Sequence, residues 1–307
     1  MTRTLFTLAV ACSVAIALPA CAAENAPRTF DQIVGQAKVQ KVAGGFKFTE
    51  GPAWDYRSLL VFSDIPNNHI VQLKDGKTSV YRDDSGGANG LMFDAKGRLV
   101  ACEGSARRIA RQSEPGKWET LADSYNGKKL NSPNDLAIDT AGRVYFTDPR
   151  YGKGSGPVEQ DREAVYRIDP EGKVTRIIDD CKKPNGIAIS PDGKTLYVVD
   201  NGAGVTRAYP LAADGSVGAG KTICESRGGD GMAVDSAGNL YITTGKGILV
   251  TDPAGKELGV IPVPEAPANC CFGGPKVTTL YITARTGLYK IELAARGWQV
   301  QIDGIRK

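Results

Sequence analysis

The sequence predicts an all-β fold: a six-bladed β-propeller with four-stranded antiparallel blades around a central channel. A carboxylate or carboxamide residue recurs six times, at intervals of 39 to 51 residues. After each copy the chain passes through a short turn containing Gly or Pro into an apolar strand, such as 144–147 or 240–243. No helical periodicity follows the N-terminal segment. Repeats of about 40–50 residues with several short strands each are typical of propeller blades.

The recurring polar residues share one register. The aligned copies read E-G-P-A-W-D, N-G-L-M-F-D, N-D-L-A-I-D, N-G-I-A-I-S, D-G-M-A-V-D and N-C-C-F-G-G. Any one copy could be an ordinary turn residue, because Asn and Asp hydrogen-bond their own backbone. The common register and the restriction to Asn, Asp and Glu favour a shared site. If this position is the entrance of the innermost strand, the following side chains converge on the axis as a cation site: Glu50, Asn89, Asn134, Asn185, Asp230 and Asn269.

The segments between these residues have the pattern of strands and turns. Apolar or alternating runs are separated by Asp-Gly turns at 75–76, 192–193 and 214–215. Strands at 40–42 and 288–291 lie at the two ends, and closing the ring requires the first to join the last blade. Gly-rich insertions near 114–116 and 151–156 are loops, and we expect at least one of them to rim the channel mouth.

The N-terminus predicts export. Residues 1–23 combine Arg3, an apolar run over 5–18 and a small-residue cleavage region, which is the pattern of a signal peptide. The apolar run is too short for a membrane span. The mature chain, 24–307, is then a single propeller domain that is periplasmic or secreted. The alternative is a lipoprotein signal, in which Cys21 becomes the lipid-anchored first residue.

The net charge limits the kinds of binding partner that we expect, and the cysteine content limits the possible disulfide bonds. The net charge of +4 is small, and no basic run with interleaved aromatic residues indicates a nucleic-acid partner. Five cysteines follow Cys21, so at least one thiol is unpaired or pairs between molecules unless Cys21 is counted. Their apolar settings favour buried free thiols. The oligomeric state is left open by the sequence.

The single histidine, His69, limits the chemistry. Its setting reads as a turn between outer strands of the first blade, far from the axis, which argues against a Ser-His-Asp triad. Multi-histidine zinc sites cannot form at all. A ring of oxygen ligands favours a hard cation. We therefore expect one divalent cation, with Ca²⁺ favoured and Zn²⁺, Mg²⁺ and Mn²⁺ as alternatives.

Several long motifs carry a family resemblance. The strings F-T-E-G-P-A-W (48–54), N-S-P-N-D-L (131–136), K-P-N-G-I-A-I-S-P-D-G-K-T-L-Y (183–197) and D-G-M-A-V-D (230–235) resemble the gluconolactonase family, which includes senescence marker protein and luciferin-regenerating enzyme. The match covers nearly the whole mature chain. The resemblance implies a six-bladed propeller with one catalytic divalent metal in the channel and hydrolysis of sugar lactones.

The resemblance also implies roles for individual residues. Glu50, Asn185 and Asp230 match the metal ligands, and Asn134 matches an amide that contacts the metal or the substrate. Asp230 is the expected general base for the attacking water. Some family members hold the sugar with an Arg where this chain has Ser132, which puts an aldonolactone preference in doubt.

The register also places candidates for binding a small-molecule lactone at the channel mouth. These are Asn89, Glu103, Arg107, Tyr151 and Asn269, together with Asn134. Two other functions stay open. The first is an exported binding module whose calcium only ties the blades together. The second is a phosphotriesterase-type hydrolase, in which Asp230 could act as a nucleophile.

Overall fold

The computed structural model describes residues 28–151 and 156–299. The predicted signal peptide and Cys21 lie outside these ranges. In the described part, six sheets of antiparallel strands form six blades around a central axis. The predicted six-bladed propeller is therefore confirmed. No helix in these ranges is long and apolar enough to cross a membrane.

The first three blades follow one another in chain order, each running from the innermost to the outermost strand. They come after helix α1 (Phe30–Val34) and strand β1 (Gln40–Gly44). Blade 1 consists of β2 (Thr49–Trp54), β3 (Leu60–Asp64), β4 (His69–Lys74) and β5 (Lys77–Arg82). Blade 2 consists of β6 (Ala88–Phe93), β7 (Leu99–Glu103), β8 (Arg108–Glu114) and β9 (Lys117–Ala122). After the hairpin β10 (Ser124–Tyr125) and β11 (Lys128–Lys129), blade 3 consists of β12 (Leu136–Ile138), β13 (Val144–Asp148), β14 (Ala164–Ile168) and β15 (Val174–Ile178).

The remaining blades keep the same order. Blade 4 consists of β16 (Pro184–Ile189), β17 (Thr195–Asp200), β18 (Val205–Pro210) and β19 (Lys221–Glu225). Blade 5 consists of β20 (Met232–Asp235), β21 (Leu240–Thr244), β22 (Gly247–Thr251) and β23 (Glu257–Ile261). Blade 6 consists of β24 (Pro267–Gly273), β25 (Thr279–Ala284), β26 (Gly287–Glu292) and β1. A last short strand, β27 (Gly297–Trp298), pairs with the axial edge of β20.

Strand β1 closes the ring, as the sequence predicts. It pairs antiparallel with β26, so that Gln40 lies opposite Lys290 and Gly44 opposite Gly287. The Glu265 carboxylate reinforces this seam, because it accepts hydrogen bonds from the Tyr289 hydroxyl at 2.5 Å and from the backbone and hydroxyl of Thr286. The last blade is therefore built from both ends of the described chain.

Aspartates at the end of the innermost strands shape the first turn of several blades. The Asp94 carboxylate accepts the backbone N–H groups of Lys96 and Arg98, each at 2.9 Å. The same two-and-four-residue pattern recurs at Asp55, Asp139 and Asp235. A side chain that binds its own turn in this way favours a tight reversal, so the repeated Asp marks where the innermost strand ends in these four blades.

The core lies between the blades. One cluster of fully buried side chains joins blades 3 and 4 through Tyr145, Ile187, Leu196 and Val198. The five cysteines of the described residues are free, and all but Cys224 are buried. This agrees with the expectation of buried, unpaired thiols. His69 opens β4, and its Nε2 lies 3.2 Å from the carboxylate of Asp83.

Candidate functional site

A column of glycines brings the innermost strands close together around the axis. Gly51, Gly90, Gly186 and Gly231 each follow one of the recurring polar residues. A Cβ at Gly51 would lie 1.9 Å from the Asn89 carbonyl oxygen, and one at Gly186 would lie 2.3 Å from the Asp230 carbonyl oxygen. The backbone N–H groups of Gly90, Gly186 and Gly231 hydrogen-bond to the next blade at 2.7–2.9 Å. Only glycine allows this approach, which explains the repeated Asn-Gly, Glu-Gly and Asp-Gly pairs.

The recurring polar residues lie at the start of the innermost strands or within two residues before them. Five of the six line one cavity of about 580 Å³ at the end of the channel where these strands begin: Glu50, Asn89, Asn134, Asn185 and Asp230. Tyr151 lines the same cavity, as do Ser105, Ser132 and Asn201. The structure therefore brings the proposed metal ligands together on one surface with open space in front of them.

Buried aspartates fix the loops that lead into this surface. Asp64, Asp148 and Asp200 each end the second strand of their blade. Each accepts two backbone N–H groups from the segment before the innermost strand, at distances of 2.7–3.1 Å. These bonds hold the chain just ahead of Glu50, Asn134 and Asn185, so the axial side chains start from rigid backbone.

The carboxylates of the cavity repel one another. Burial raises the pKa of Glu50 well above its ordinary value, and the nearby Asp230 and Asp135 raise it further. Burial raises the pKa of Asp230 to about 6, although hydrogen bonding by Asn185 and the charge of Arg285 lower it. No Lys or Arg is among the described residues that line the cavity. Buried carboxylates whose neighbouring cations lie outside the cavity are costly, so a cation bound between them would relieve the repulsion.

The hydrogen bonds show which side-chain oxygen atoms remain available to a cation. Glu50 Oε2 accepts the Gly51 N–H at 2.6 Å. Asn185 donates Nδ2 to the Tyr151 hydroxyl at 2.7 Å, and no described residue donates to its Oδ1. In the described ranges no three His, Cys, Asp or Glu side chains converge on one point. A cation held here must therefore also take amide oxygens, which suits a hard ion such as Ca²⁺.

Asn269 lies deeper than the other recurring residues. It lines a narrow space below the cavity rather than the cavity itself. Its Nδ2 donates to Asp135 at 3.2 Å, and its Oδ1 accepts the Cys270 N–H at 2.8 Å. Both ends of the amide thus have protein partners, and Asn269 supports the carboxylates instead of facing a ligand in the cavity.

Glu103 and Arg107 differ from the sequence expectation, since neither lines the cavity. Glu103 is fully buried, and its carboxylate lies 2.6 Å from both the Arg82 and the Arg108 guanidinium. It ends the second strand of blade 2, the position that Asp64 occupies in blade 1. Arg107 is also buried and donates Nε to the Leu130 carbonyl at 2.6 Å. Both side chains stabilise blade contacts.

Two polar residues at the axis were missed by sequence reasoning, Asp135 and Asn201. Burial raises the pKa of the Asp135 carboxyl to about 7. Asp135 could have been recognised in the sequence, because it directly follows Asn134, at the position where four other blades have Gly. Asn201 directly follows β17 and lines the cavity. No repeated pattern marks Asn201, because the corresponding residues of the other blades have different chemistry.

Comparison with known proteins agrees with the geometry. A family model described as an SMP-30/gluconolactonase/LRE-like region matches residues 48–286. A gluconolactonase of Zymomonas mobilis is 30% identical over 293 residues, covering 84% of this chain and 82% of the relative.

Two solved structures share the fold. A gluconolactonase from Xanthomonas campestris is 34% identical with a TM-score of 0.81, covering 86% of this chain and 91% of that one. A calcium-binding protein, regucalcin, from Agrobacterium tumefaciens is 21% identical with a TM-score of 0.71, covering 86% and 95%. The second likeness concerns the fold alone. Through the matched region, which spans most of the described propeller, the chain belongs to the SMP-30/gluconolactonase/LRE-like family.

Proposed function

We propose that this protein is a divalent-metal-dependent lactonase that opens the ring of a sugar lactone. The observation that carries the proposal is the open cavity with Glu50, Asn134, Asn185 and Asp230 on one surface. Family membership supports the reaction class, since relatives are named gluconolactonase, lactonohydrolase and pentonolactonase. Ester hydrolysis at a metal needs both an oxygen-rich site and room for substrate, and the cavity offers both.

The residues fit a calcium ion. Two carboxylates, Glu50 and Asp230, balance a divalent charge, and the amide oxygens of Asn134 and Asn185 complete a set of four protein oxygens. Calcium takes six to eight oxygen ligands, so coordination positions remain for water and substrate. We therefore propose Ca²⁺ as the resident ion, with Mg²⁺, Mn²⁺ and Zn²⁺ as outcomes that a metal analysis distinguishes.

A cation held by these residues would act as a Lewis acid towards the lactone carbonyl. Asp230 removes a proton from the attacking water, whose oxygen forms a bond to the carbonyl carbon. The bond between that carbon and the ring oxygen then breaks, and the ring oxygen takes up the proton, which gives an open hydroxy acid. Tyr151 holds the amide of Asn185 throughout, and the Gly51 N–H holds the carboxylate of Glu50.

The open cavity also favours an enzyme over a structural calcium site. A purely structural ion would be closed in by protein ligands, whereas about 580 Å³ of space lies against the proposed ligands here. The decisive experiment measures hydrolysis of a panel of lactones and one phosphotriester, with Ca²⁺ and after chelation. We expect lactone hydrolysis that chelation removes and Ca²⁺ restores, with unchanged β-sheet circular dichroism. Hydrolysis of no lactone with Ca²⁺ present would favour the binding module or, if the phosphotriester is cleaved, the phosphotriesterase.

We also propose export of the protein, on the basis of the N-terminal pattern alone. Residues 1–23 are the proposed signal peptide, and Cys21 is the alternative lipid-anchored start. Mass spectrometry of the full-length gene product recovered from its native host tests this. A mature chain beginning at residue 24 supports the signal peptide, a lipid-modified Cys21 supports the anchor, and an intact Met1 rejects both.

A further inference from the structure

We propose that Asn201 is a specificity-determining residue that reads a hydroxyl group of the substrate, an inference that rests on the proposed lactonase function. Asn201 is half-buried and lines the same cavity as Asp230. It lies outside the recurring register and outside the proposed ligand set.

The backbone of Asn201 is fixed at the top of blade 4. Its N–H donates to the Lys183 carbonyl at 3.0 Å, and its carbonyl accepts the Gly204 N–H at 3.2 Å. The residue directly follows Asp200, whose carboxylate accepts the N–H groups of Lys182 and Lys183 at 3.0 Å. The side chain therefore projects from rigid backbone, which a residue that discriminates between substrates requires.

The orientation of the amide is set by chemistry. Asn201 Nδ2 lies 2.7 Å from the carbonyl oxygen of Gly229. A carbonyl oxygen can only accept, so the nitrogen must face Gly229 and Oδ1 must face away. No hydrogen bond from a described residue reaches Oδ1. Oδ1 is thus an acceptor on a cavity wall to which no described residue donates.

The contact with Gly229 places Asn201 next to the segment that carries Asp230. Gly229 directly precedes Asp230, the proposed base, and both Asn201 and Asp230 line the cavity. A lactone with its carbonyl near Asp230 therefore carries its ring substituents past Asn201. A substrate hydroxyl at this place can donate a hydrogen bond to Oδ1 of Asn201. A lactone with a methylene group at the same place leaves that oxygen without a hydrogen bond. Such a site discriminates against the analogue that lacks the hydroxyl.

Asn201 therefore has two separable effects. Its Nδ2 steadies the segment that leads into Asp230, and this should influence every substrate equally. Its Oδ1 should influence only substrates that present a hydroxyl. Comparing two lactones of the same ring size in two variants separates these effects, because an effect common to both lactones cancels in the ratio of their kcat/KM values.

The test uses D-glucono-1,5-lactone and δ-valerolactone, which has no hydroxyl groups, with Ca²⁺ present. We expect the wild type to prefer the hydroxylated lactone. Asn201→Ala should reduce this preference by about 5-fold, which is typical of one neutral hydrogen bond. Asn201→Asp keeps an acceptor oxygen but cannot donate to Gly229 when ionised. It should lower kcat/KM for both lactones and keep the wild-type ratio.

Controls make the result decisive. Gln72→Ala removes an amide that donates to Ser79 at 2.9 Å on the outer part of blade 1, and it should change neither rate. An unchanged ratio in Asn201→Ala overturns the inference and leaves Asn201 a positioning residue. The inference is also overturned if the ratio of the two kcat/KM values falls as much in Asn201→Asp as in Asn201→Ala. A wild type that opens both lactones equally well refutes the inference but not the lactonase, whereas a wild type that opens neither refutes the lactonase and the inference with it.

Discussion

Asn185 and Tyr151 form a hydrogen bond of 2.7 Å across the cavity wall, with the amide nitrogen donating to the phenol oxygen. Because Nδ2 is directed to the phenol, Asn185 retains Oδ1 for a cation. Tyr151 is partly exposed, and Lys183 Nζ lies 4.7 Å from the centre of its ring. The tyrosine hydroxyl is thus tied to a proposed metal ligand, while the ring makes its own contact with Lys183.

Replacing this tyrosine should weaken metal binding. Tyr151→Phe keeps the ring over Lys183 but removes the acceptor that orients Asn185. We expect the Kd for Ca²⁺ to rise by about 3- to 10-fold, as for loss of one hydrogen bond to a ligand. Isothermal titration calorimetry measures it. Tyr81→Phe is the matched control, since it loses a 2.7 Å hydrogen bond to Gln112 away from the cavity. Equal Kd values in both variants would contradict the positioning role.

Replacing the proposed base should separate activity from folding. Asp230→Asn keeps the shape of the side chain and removes the proton acceptor, so kcat should fall by at least about 10²-fold. Without metal, the variant also loses the repulsion between Glu50 and Asp230. Its metal-free form should therefore unfold at a higher temperature than metal-free wild type. Full lactone turnover at saturating Ca²⁺ would show that another group takes the proton.

Metal binding should depend on pH. Without metal, the pKa of Asp230 is raised to about 6 by burial, and that of Glu50 is raised well above its ordinary value. Below about pH 6 the Asp230 carboxyl holds a proton that a cation must displace, and the raised pKa of Glu50 acts in the same direction, so affinity for Ca²⁺ should fall as pH falls. Calorimetry in buffers of different ionisation enthalpy should detect more proton release at pH 6 than at pH 8. An affinity that is constant from pH 5 to pH 8 would be inconsistent with buried, repelling carboxylates.

The seam between β1 and β26 should weaken in acid. Burial raises the pKa of Glu265, but hydrogen bonds from Tyr289 and Thr286 outweigh it and lower the pKa to about 2. A carboxyl with a lowered pKa in the folded state stabilises the fold above its unfolded pKa. That contribution is lost as pH falls from about 4.5 to about 2.

The matching variant is Glu265→Gln. We expect it to reduce the free energy of unfolding at pH 7 by about 1 kcal/mol, a modest value because the carboxylate is partly solvated. The difference from wild type should shrink towards pH 2. Urea titrations at several pH values measure it, with Glu171→Gln, an exposed turn glutamate, as the control. A difference that does not change with pH would assign the effect to packing rather than to charge.

The fold could be predicted because its signal is repeated. The spacing of the polar residues and the glycines after them are imposed at the axis, where a Cβ at Gly186 or Gly231 would collide with the next blade. A steric constraint that acts on most blades produces the same residue pattern in the sequence of each of them. This is why the number of blades, the innermost strands and the closing strand could all be predicted from the sequence.

The contacts of individual side chains were less predictable. The repeat register predicts where along a blade a residue lies, but not which groups it contacts. Glu103 and Asp64 end the second strands of adjacent blades. Asp64 binds backbone N–H groups, whereas Glu103 forms ion pairs with Arg108 on the adjacent strand β8 and with Arg82 on β5 of blade 1. Asn269 shares the register of the cavity residues but is engaged by Asp135, which is 134 residues away in sequence. Such pairings arise only when distant segments meet.

The pairing of β1 with β26 has a consequence for biogenesis. The partner of Gln40 is Lys290, so the circle cannot be completed until nearly the whole polypeptide has been made. Until then β1 lacks its partner strand, and in a chain without β1 the outer edge of β26 is bare and can recruit strands from other molecules. Loss of β1 would therefore favour aggregation over a simple drop in melting temperature, so any tag or truncation near residue 40 must leave this strand intact.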